Sequence, residues 1–123
     1  MAGTVTSTSV TFGSVKQVGF HWISSTSGEA NSTETSYKFD GKVIGLCTIP
    51  ITATGAPTDN YDVEVVGGRD SLDVLWGAGA DRDTLNTEYV SSSDLGIVAS
   101  EGLTLNVTNA GNVTAGYVYL WIR

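Results

Sequence analysis

The sequence predicts an all-β protein, a single antiparallel β-sandwich of jelly-roll-like form with about eight short strands. Three observations carry this. Fifteen glycines against two prolines, among many Ser, Thr, Val and Asn residues, suit short strands and tight turns. Apolar residues recur at every second position in several runs, the period of a strand with one wet face. No segment keeps helical apolar spacing over a useful length. An immunoglobulin-like sandwich accommodates the same strand count and spacing.

Along the chain, residues 1–13 are small and polar with a trace of Val5, Val10 and Phe12. They read as an amino-terminal arm, disordered or ordering on a partner, or as an edge strand. The sandwich domain then spans 14–123. Val15–Ile23 is the first clear strand, with Val18, Phe20 and Trp22 on one face and Gly19 at a bulge or close backbone approach. Residues 24–36 form a long polar loop, of the kind that is mobile or functional. Asp40-Gly41 between Tyr37–Phe39 and Lys42–Ile44 reads as a two-residue hairpin turn, and the second arm runs on to Pro50. After a loop over 51–60, Tyr61–Val65 and Leu72–Trp76 read as a hairpin or meander about Gly67-Gly68-Arg69-Asp70. A glycine-rich turn at 77–83, a weak strand over 85–91 and a short one over 96–99 lead to the closing pair, Leu103–Thr108 and Tyr117–Ile122.

That last strand organises the functional reading. Tyr117-Val118-Tyr119-Leu120-Trp121-Ile122 is apolar at all six positions, so Val118, Leu120 and Ile122 enter a core while Tyr117, Tyr119 and Trp121 line the other face. A strand apolar on both faces needs cover on both. The three rings are therefore the interface candidates, and a binding or structural role is favoured over catalysis.

Composition narrows the partners. The net charge is −7, and the six cations are scattered. Binding phosphate backbones needs a concentrated basic surface, so no nucleic-acid partner is expected. No stretch approaches the roughly 20 apolar residues of a membrane span, and the start Met1–Thr6 lacks the basic and apolar regions of an export signal. A soluble protein made in the cytoplasm, without membrane contact, is expected. Cys47, alone in an apolar run, reads as a buried small hydrophobe.

Catalytic and cofactor chemistry find little support. His21 is the only histidine, in an apolar strand without a signalled partner, and reads as structural or surface. There is no Gly-x-Ser-x-Gly elbow. Gly77–Asp81 lacks the ending of a phosphate-cradling loop and reads as a turn. Asp70, Asp73, Asp81 and Asp83 do not form a calcium-loop pattern and read as solvated turn carboxylates. We expect no enzymatic activity, cofactor or metal. Trp22, Trp76 and Trp121 with the tyrosines also suit a sugar-stacking platform, although Trp22 and Trp76 are expected mainly in the core.

The runs Gly55–Val63, Asp73–Arg82, Leu103–Gly111 and Tyr119–Arg123 together resemble, in style and order, small virion proteins of tailed bacteriophages, among them capsid decoration or cement proteins with β-sandwich folds. The resemblance spans residues 43–123. It implies a homo-oligomer, dimer or trimer, that binds the major capsid protein on the outer surface of the head and stabilises the shell. The alternatives are a carbohydrate-binding or host-recognition module of a tail or fibre, and another neck or tail subunit.

Overall fold

In the computed structural model, residues 3–51, 55–68, 71–91 and 95–123 are described. They contain nine strands and no helix: β1 (Thr4–Phe12), β2 (Val15–Ile23), β3 (Ala30–Asn31), β4 (Phe39–Pro50), β5 (Asp62–Gly67), β6 (Glu88–Ser91), β7 (Ile97–Glu101), β8 (Leu103–Thr108) and β9 (Ala115–Ile122). The larger sheet runs β1-β2-β9-β4-β6, with β7 also paired to β4, and the smaller runs β3-β8-β5. Every pairing is antiparallel. The all-β class is as expected, and the arrangement is that of a sandwich. Jelly-roll topology is a finer statement than this strand order carries.

One core lies between the sheets. Val18, Phe20 and Trp22 of β2, Leu46 of β4 and Val118, Leu120 and Ile122 of β9 meet Val63 and Val65 of β5 and Leu103, Leu105 and Val107 of β8. Their alternation along each strand is what puts one set of side chains inside and leaves the other out. The burial of β9 alternates without a break, with Gly116, Val118, Leu120 and Ile122 inside.

Of the two readings of the first residues, the edge strand is the one that forms: residues 4–12 are zipped to β2 from Thr4↔Ile23 to Phe12↔Val15, and Met1 and Ala2 lie outside the described residues. Other expectations give way. Asp40-Gly41 makes no hairpin turn. β4 runs straight through it, with a register shift against β7 between Phe39 and Gly41. Gly41 holds φ +132°, and a Cβ there would stand 2.3 Å from the Arg123 carbonyl oxygen, so the glycine serves a close backbone approach inside a strand.

The expected hairpin or meander of Tyr61–Val65 with Leu72–Trp76 is reduced to a single antiparallel bridge. β5 takes β8 as its ladder partner, and the segment after it lies along the other edge of β5 in turns, touching through the isolated Val66↔Asp73 bridge. The Asp73 carboxylate accepts the backbone N–H groups of Leu75 and Gly77 and holds this turn. Arg69 and Asp70 of the expected turn lie outside the described residues. The closing pair β8 and β9 is sequential but not paired: the two strands belong to facing sheets.

The long polar segment after β2 is a strap. Ser24 and Ser25 are buried, and Ser24 Oγ donates to the Gly111 carbonyl (2.9 Å) and accepts the Thr114 N–H (2.8 Å). Further on, Ser32 Oγ and Thr35 Oγ1 accept the N–H groups of Leu105 and Leu103. Its hydroxyls thus finish the free edge of β8, which explains the polar composition of this segment.

Candidate functional site

β9 is the middle strand of the larger sheet, between β2 and β4. Its inward residues are spent on the core, and the outward ones, Tyr117, Tyr119 and Trp121, stay partly exposed. The structure brings the three predicted interface residues together as one row. Ring centroids of Tyr117 and Tyr119 lie 6.3 Å apart with planes 9° from parallel, and those of Tyr119 and Trp121 6.3 Å apart at 24°. His21, opposite Tyr117 in the register, extends the row sideways by stacking on that ring at 4.6 Å and 21°.

The neighbouring strands make room for the rings. Gly19 of β2 stands opposite Tyr119 and Gly45 of β4 opposite Trp121. A Cβ on Gly19 would lie 2.8 Å from Tyr119 Cε1, and one on Gly45 3.2 Å from Trp121 Cε3. Each ring therefore rests against bare backbone of the next strand, the arrangement by which aromatics compensate a glycine in a sheet. Trp121 Nε1 donates to Gln17 Oε1 at 3.0 Å. A groove of about 140 Å³ opens between Thr6, Thr8, His21, Tyr117 and Tyr119.

Cys47 faces the same way, opposite Tyr119 on one side and Tyr89 on the other. It is buried beneath its neighbours. Burial pushes its thiol up, against a smaller lowering by its hydrogen bond with Tyr89. Tyr89 itself is 75% exposed, and its hydroxyl is pushed up chiefly by the hydrogen bond with Cys47.

The outward positions of β1, of β2 and β9, of β4 from Gly45 to Ile49, and of β6 at Tyr89 and Ser91 carry no carboxylate, although the chain has thirteen. On the other sheet, a groove of about 250 Å³ is lined by Asp62, Glu64, Asp73 and Asn106 among others. Its carboxylates are engaged structurally: Asp73 as above, and Asp62 with the Asp81 N–H (2.9 Å) and Asn109 Nδ2 (2.7 Å). Among the described residues, no group of three His, Cys, Asp or Glu is placed to hold a metal ion, and no helix is long and apolar enough to cross a membrane.

The other aromatics separate. Trp22 and Tyr61 are fully buried in the core, 5.6 Å apart. Trp76, expected in the core, is 74% exposed. It sits in the Asp73 turn at φ +51°, where Val74 and Leu75 both turn inward and strand alternation no longer applies. Neither Trp22 nor Trp76 belongs to the row. Sequence reasoning missed His21, Gly19, Gly45 and Gln17 as parts of the site, because their places beside β9 follow from a register between strands far apart in the chain.

What fold and site define is a small all-β module with one aromatic, acid-free sheet face. Comparisons with protein-family models, with curated proteins and with solved structures gave no match.

Proposed function

We propose that the protein is a virion structural subunit of the decoration or cement type, which binds the major capsid protein on the outer surface of a bacteriophage head as a homo-oligomer. The observation that supports this reading most directly is the partly exposed row Tyr117–Tyr119–Trp121 on a strand whose other face is already spent on the core. Rings in a fixed row offer large contact area with little side-chain entropy to lose, as interface anchors do. With no carboxylate on that face, an acidic protein approaches its partner without burying an unpaired charge. Each copy contributes a modest contact, and many copies on a shell add up, because a ligand that binds only the assembled state stabilises it by mass action. The role is one of binding, at the virion surface, with no catalysis and no cofactor.

Mixing the purified protein with undecorated heads tests this. Co-sedimentation with the heads and a raised shell melting temperature are expected, both lost in the Tyr119→Ala/Trp121→Ala double variant. Failure of the wild-type protein to bind overturns the reading.

A second reading, a carbohydrate-binding module of a tail or fibre, draws on the groove in which the hydroxyls of Thr6 and Thr8 and the His21 ring stand beside Tyr117 and Tyr119. Sugars pair stacking faces with hydroxyls in this way. Glycan-array binding abolished by Tyr119→Ala would favour it. A neck or tail position differs from decoration only in where labelled protein is found on the particle.

A further inference from the structure

The two sheets treat their terminal strands unequally. β3 has two residues, and β6 has four and begins with Glu88, paired to Arg82 at 3.6 Å. The outer edge of β5 is covered by the turns that follow it: the Val63 N–H donates to the Gly79 carbonyl, and the Val74 and Arg82 N–H groups donate to the carbonyls of Val65 and Tyr61. Shortness, charge and cover are the usual protections of a sheet edge.

β1 has none of them. It is nine residues long, Thr-Val-Thr-Ser-Thr-Ser-Val-Thr-Phe, without a charge, a proline or a glycine, and all but Val5 are exposed. Its free backbone groups follow from the ladder. The Ser24 N–H bonds to the Thr114 carbonyl, so even-numbered residues of β2 serve β9 and odd-numbered ones serve β1. In the register Thr8↔Gly19, Val5, Ser7, Ser9 and Thr11 then turn N–H and C=O away from β2. Gly3, the next residue of that parity, agrees: its N–H reaches out to the Glu29 carbonyl. From Val5 to Thr11, no backbone group of the described residues outside β2 bonds to this strand.

We propose that β1 pairs antiparallel with β1 of a second copy of this chain about a two-fold axis at Thr8, joining the two larger sheets into one. The occupant is a second copy for two reasons. Two chains of charge −7 repel wherever acidic surface meets acidic surface, and this edge brings none. The strand is also self-complementary about Thr8. Ser7 meets the partner's Ser9, Thr6 the partner's Val10 and Val5 the partner's Thr11, so β-branched residues oppose one another outside the central serines. The partner's Thr4 and Thr6 lie against Phe12 and Val10, which are 58% and 43% exposed in the single chain. An isologous contact of this kind closes on itself and makes a dimer, not a fibre. It deepens the decoration reading, and rests on it only for the homo-oligomer: the two aromatic rows come to share one continuous face.

Sedimentation of the purified protein, without capsids, gives the first test. The wild type is expected at twice the chain mass and Ser9→Pro at the chain mass, because proline at an outward position removes a donor from the free edge while sparing the β2 ladder. Ser7→Lys/Ser9→Lys, which sets cations opposite one another, gives the same result if the proline variant folds poorly. Register is read by cross-linking. At the axis, Thr8 forms a non-hydrogen-bonded pair with Cα atoms roughly 4.5 Å apart, within disulfide reach. Oxidised Thr8→Cys therefore migrates as a dimer without reductant. Thr6→Cys, displaced from its twin by roughly 13 Å, does not, and neither does the wild type with its buried Cys47. A monomeric wild type, or Thr8→Cys that fails to cross-link more than Thr6→Cys, overturns the pairing. Head binding is scored separately: a monomer that still decorates heads sinks the pairing alone, and a cross-linkable dimer that ignores them sinks the decoration reading alone.

Discussion

Trp121 and Gln17 face one another across the β2–β9 pair, and the indole N–H donates to Gln17 Oε1 at 3.0 Å. This bond holds the end of the aromatic row in one orientation, since an indole has a single donor and here it is spent within the sheet. Gln17→Ala is expected to cost about 1 kcal/mol of stability and to speed exchange of the Trp121 indole proton, while that of the fully buried Trp22 keeps its protection. Denaturant titration and indole resonances in nitrogen-resolved NMR check the two parts; unchanged Trp121 exchange would show that the bond does not fix the ring.

Gly41 and Gly19 make opposite demands. At Gly41 a Cβ meets the Arg123 carbonyl at 2.3 Å and the backbone holds φ +132°, so neither the neighbour nor the conformation gives way easily. Gly41→Ala should cost about 3 kcal/mol or more. At Gly19 the obstacle is the Tyr119 ring, which can swing. Gly19→Ala should cost about 1 kcal/mol and displace the ring, weakening whatever the row binds. Urea midpoints of the two variants compare them, and a Gly41→Ala protein as stable as Gly19→Ala would be the contrary result.

Ser24 joins the end of β2 to the loop between β8 and β9. Its hydroxyl accepts the Thr114 N–H, donates to the Gly111 carbonyl, and lies 3.0 Å from the Thr114 hydroxyl. Ser24→Ala leaves a buried N–H and a carbonyl without this partner, and a loss of about 2–3 kcal/mol is expected. Thr26, two residues along the same strap, is exposed, and Thr26→Ala should change stability by less than about 0.5 kcal/mol. Thermal melts of the two alanine variants side by side decide it, and equal losses would mean that the Ser24 network contributes nothing beyond an ordinary surface hydroxyl.

Cys47 lies between Tyr119 and Tyr89 with its thiol pushed up by burial. Cover and a scarce thiolate both disfavour attack by an alkylating reagent. Labelling by iodoacetamide at pH 8 should be slower than in the urea-unfolded chain by on the order of a hundredfold. Labelling at the unfolded rate would mean that the rings do not cover the sulfur.

How far the sequence shows all this depends on whether the deciding interaction is local. The alternation of β9 is local, and it suffices to put Tyr117, Tyr119 and Trp121 on one face. The turn expected at Asp40-Gly41 does not form, because an Asp-Gly pair has the same local chemistry whether the chain reverses or a distant carbonyl comes close, and Arg123 lies at the far end of the sequence. Leu72–Trp76 makes no strand because, past the one bridge of Asp73 to Val66, the Asp73 carboxylate accepts the N–H groups of Leu75 and Gly77 and curls the chain into a turn. His21, Gly19 and Gln17 enter the site through the β2–β9 register, which no short window contains. The strap after β2 reads as a mobile or functional loop because the partners that tie Ser32 and Thr35 down are N–H groups of β8, about seventy residues away in the chain.

Tyr61 offers a test that separates burial from bonding. Its hydroxyl is buried beside Thr48, yet neither oxygen is in hydrogen-bond geometry with a partner. Tyr61→Phe therefore removes little at neutral pH, and a stability change within about 1 kcal/mol is expected. At high pH the hydroxyl matters. Burial pushes it up from 10.0 to about 12, so the unfolded chain loses this proton first. The favourable contribution is complete below about pH 10 and disappears as pH rises through about 12, a loss of about 3 kcal/mol across that window. Denaturant unfolding at intervals from about pH 8 to 12 should show a steeper decline for the wild type than for Tyr61→Phe, the other tyrosines being common to both. Parallel declines would mean that the Tyr61 hydroxyl is solvated in the folded protein.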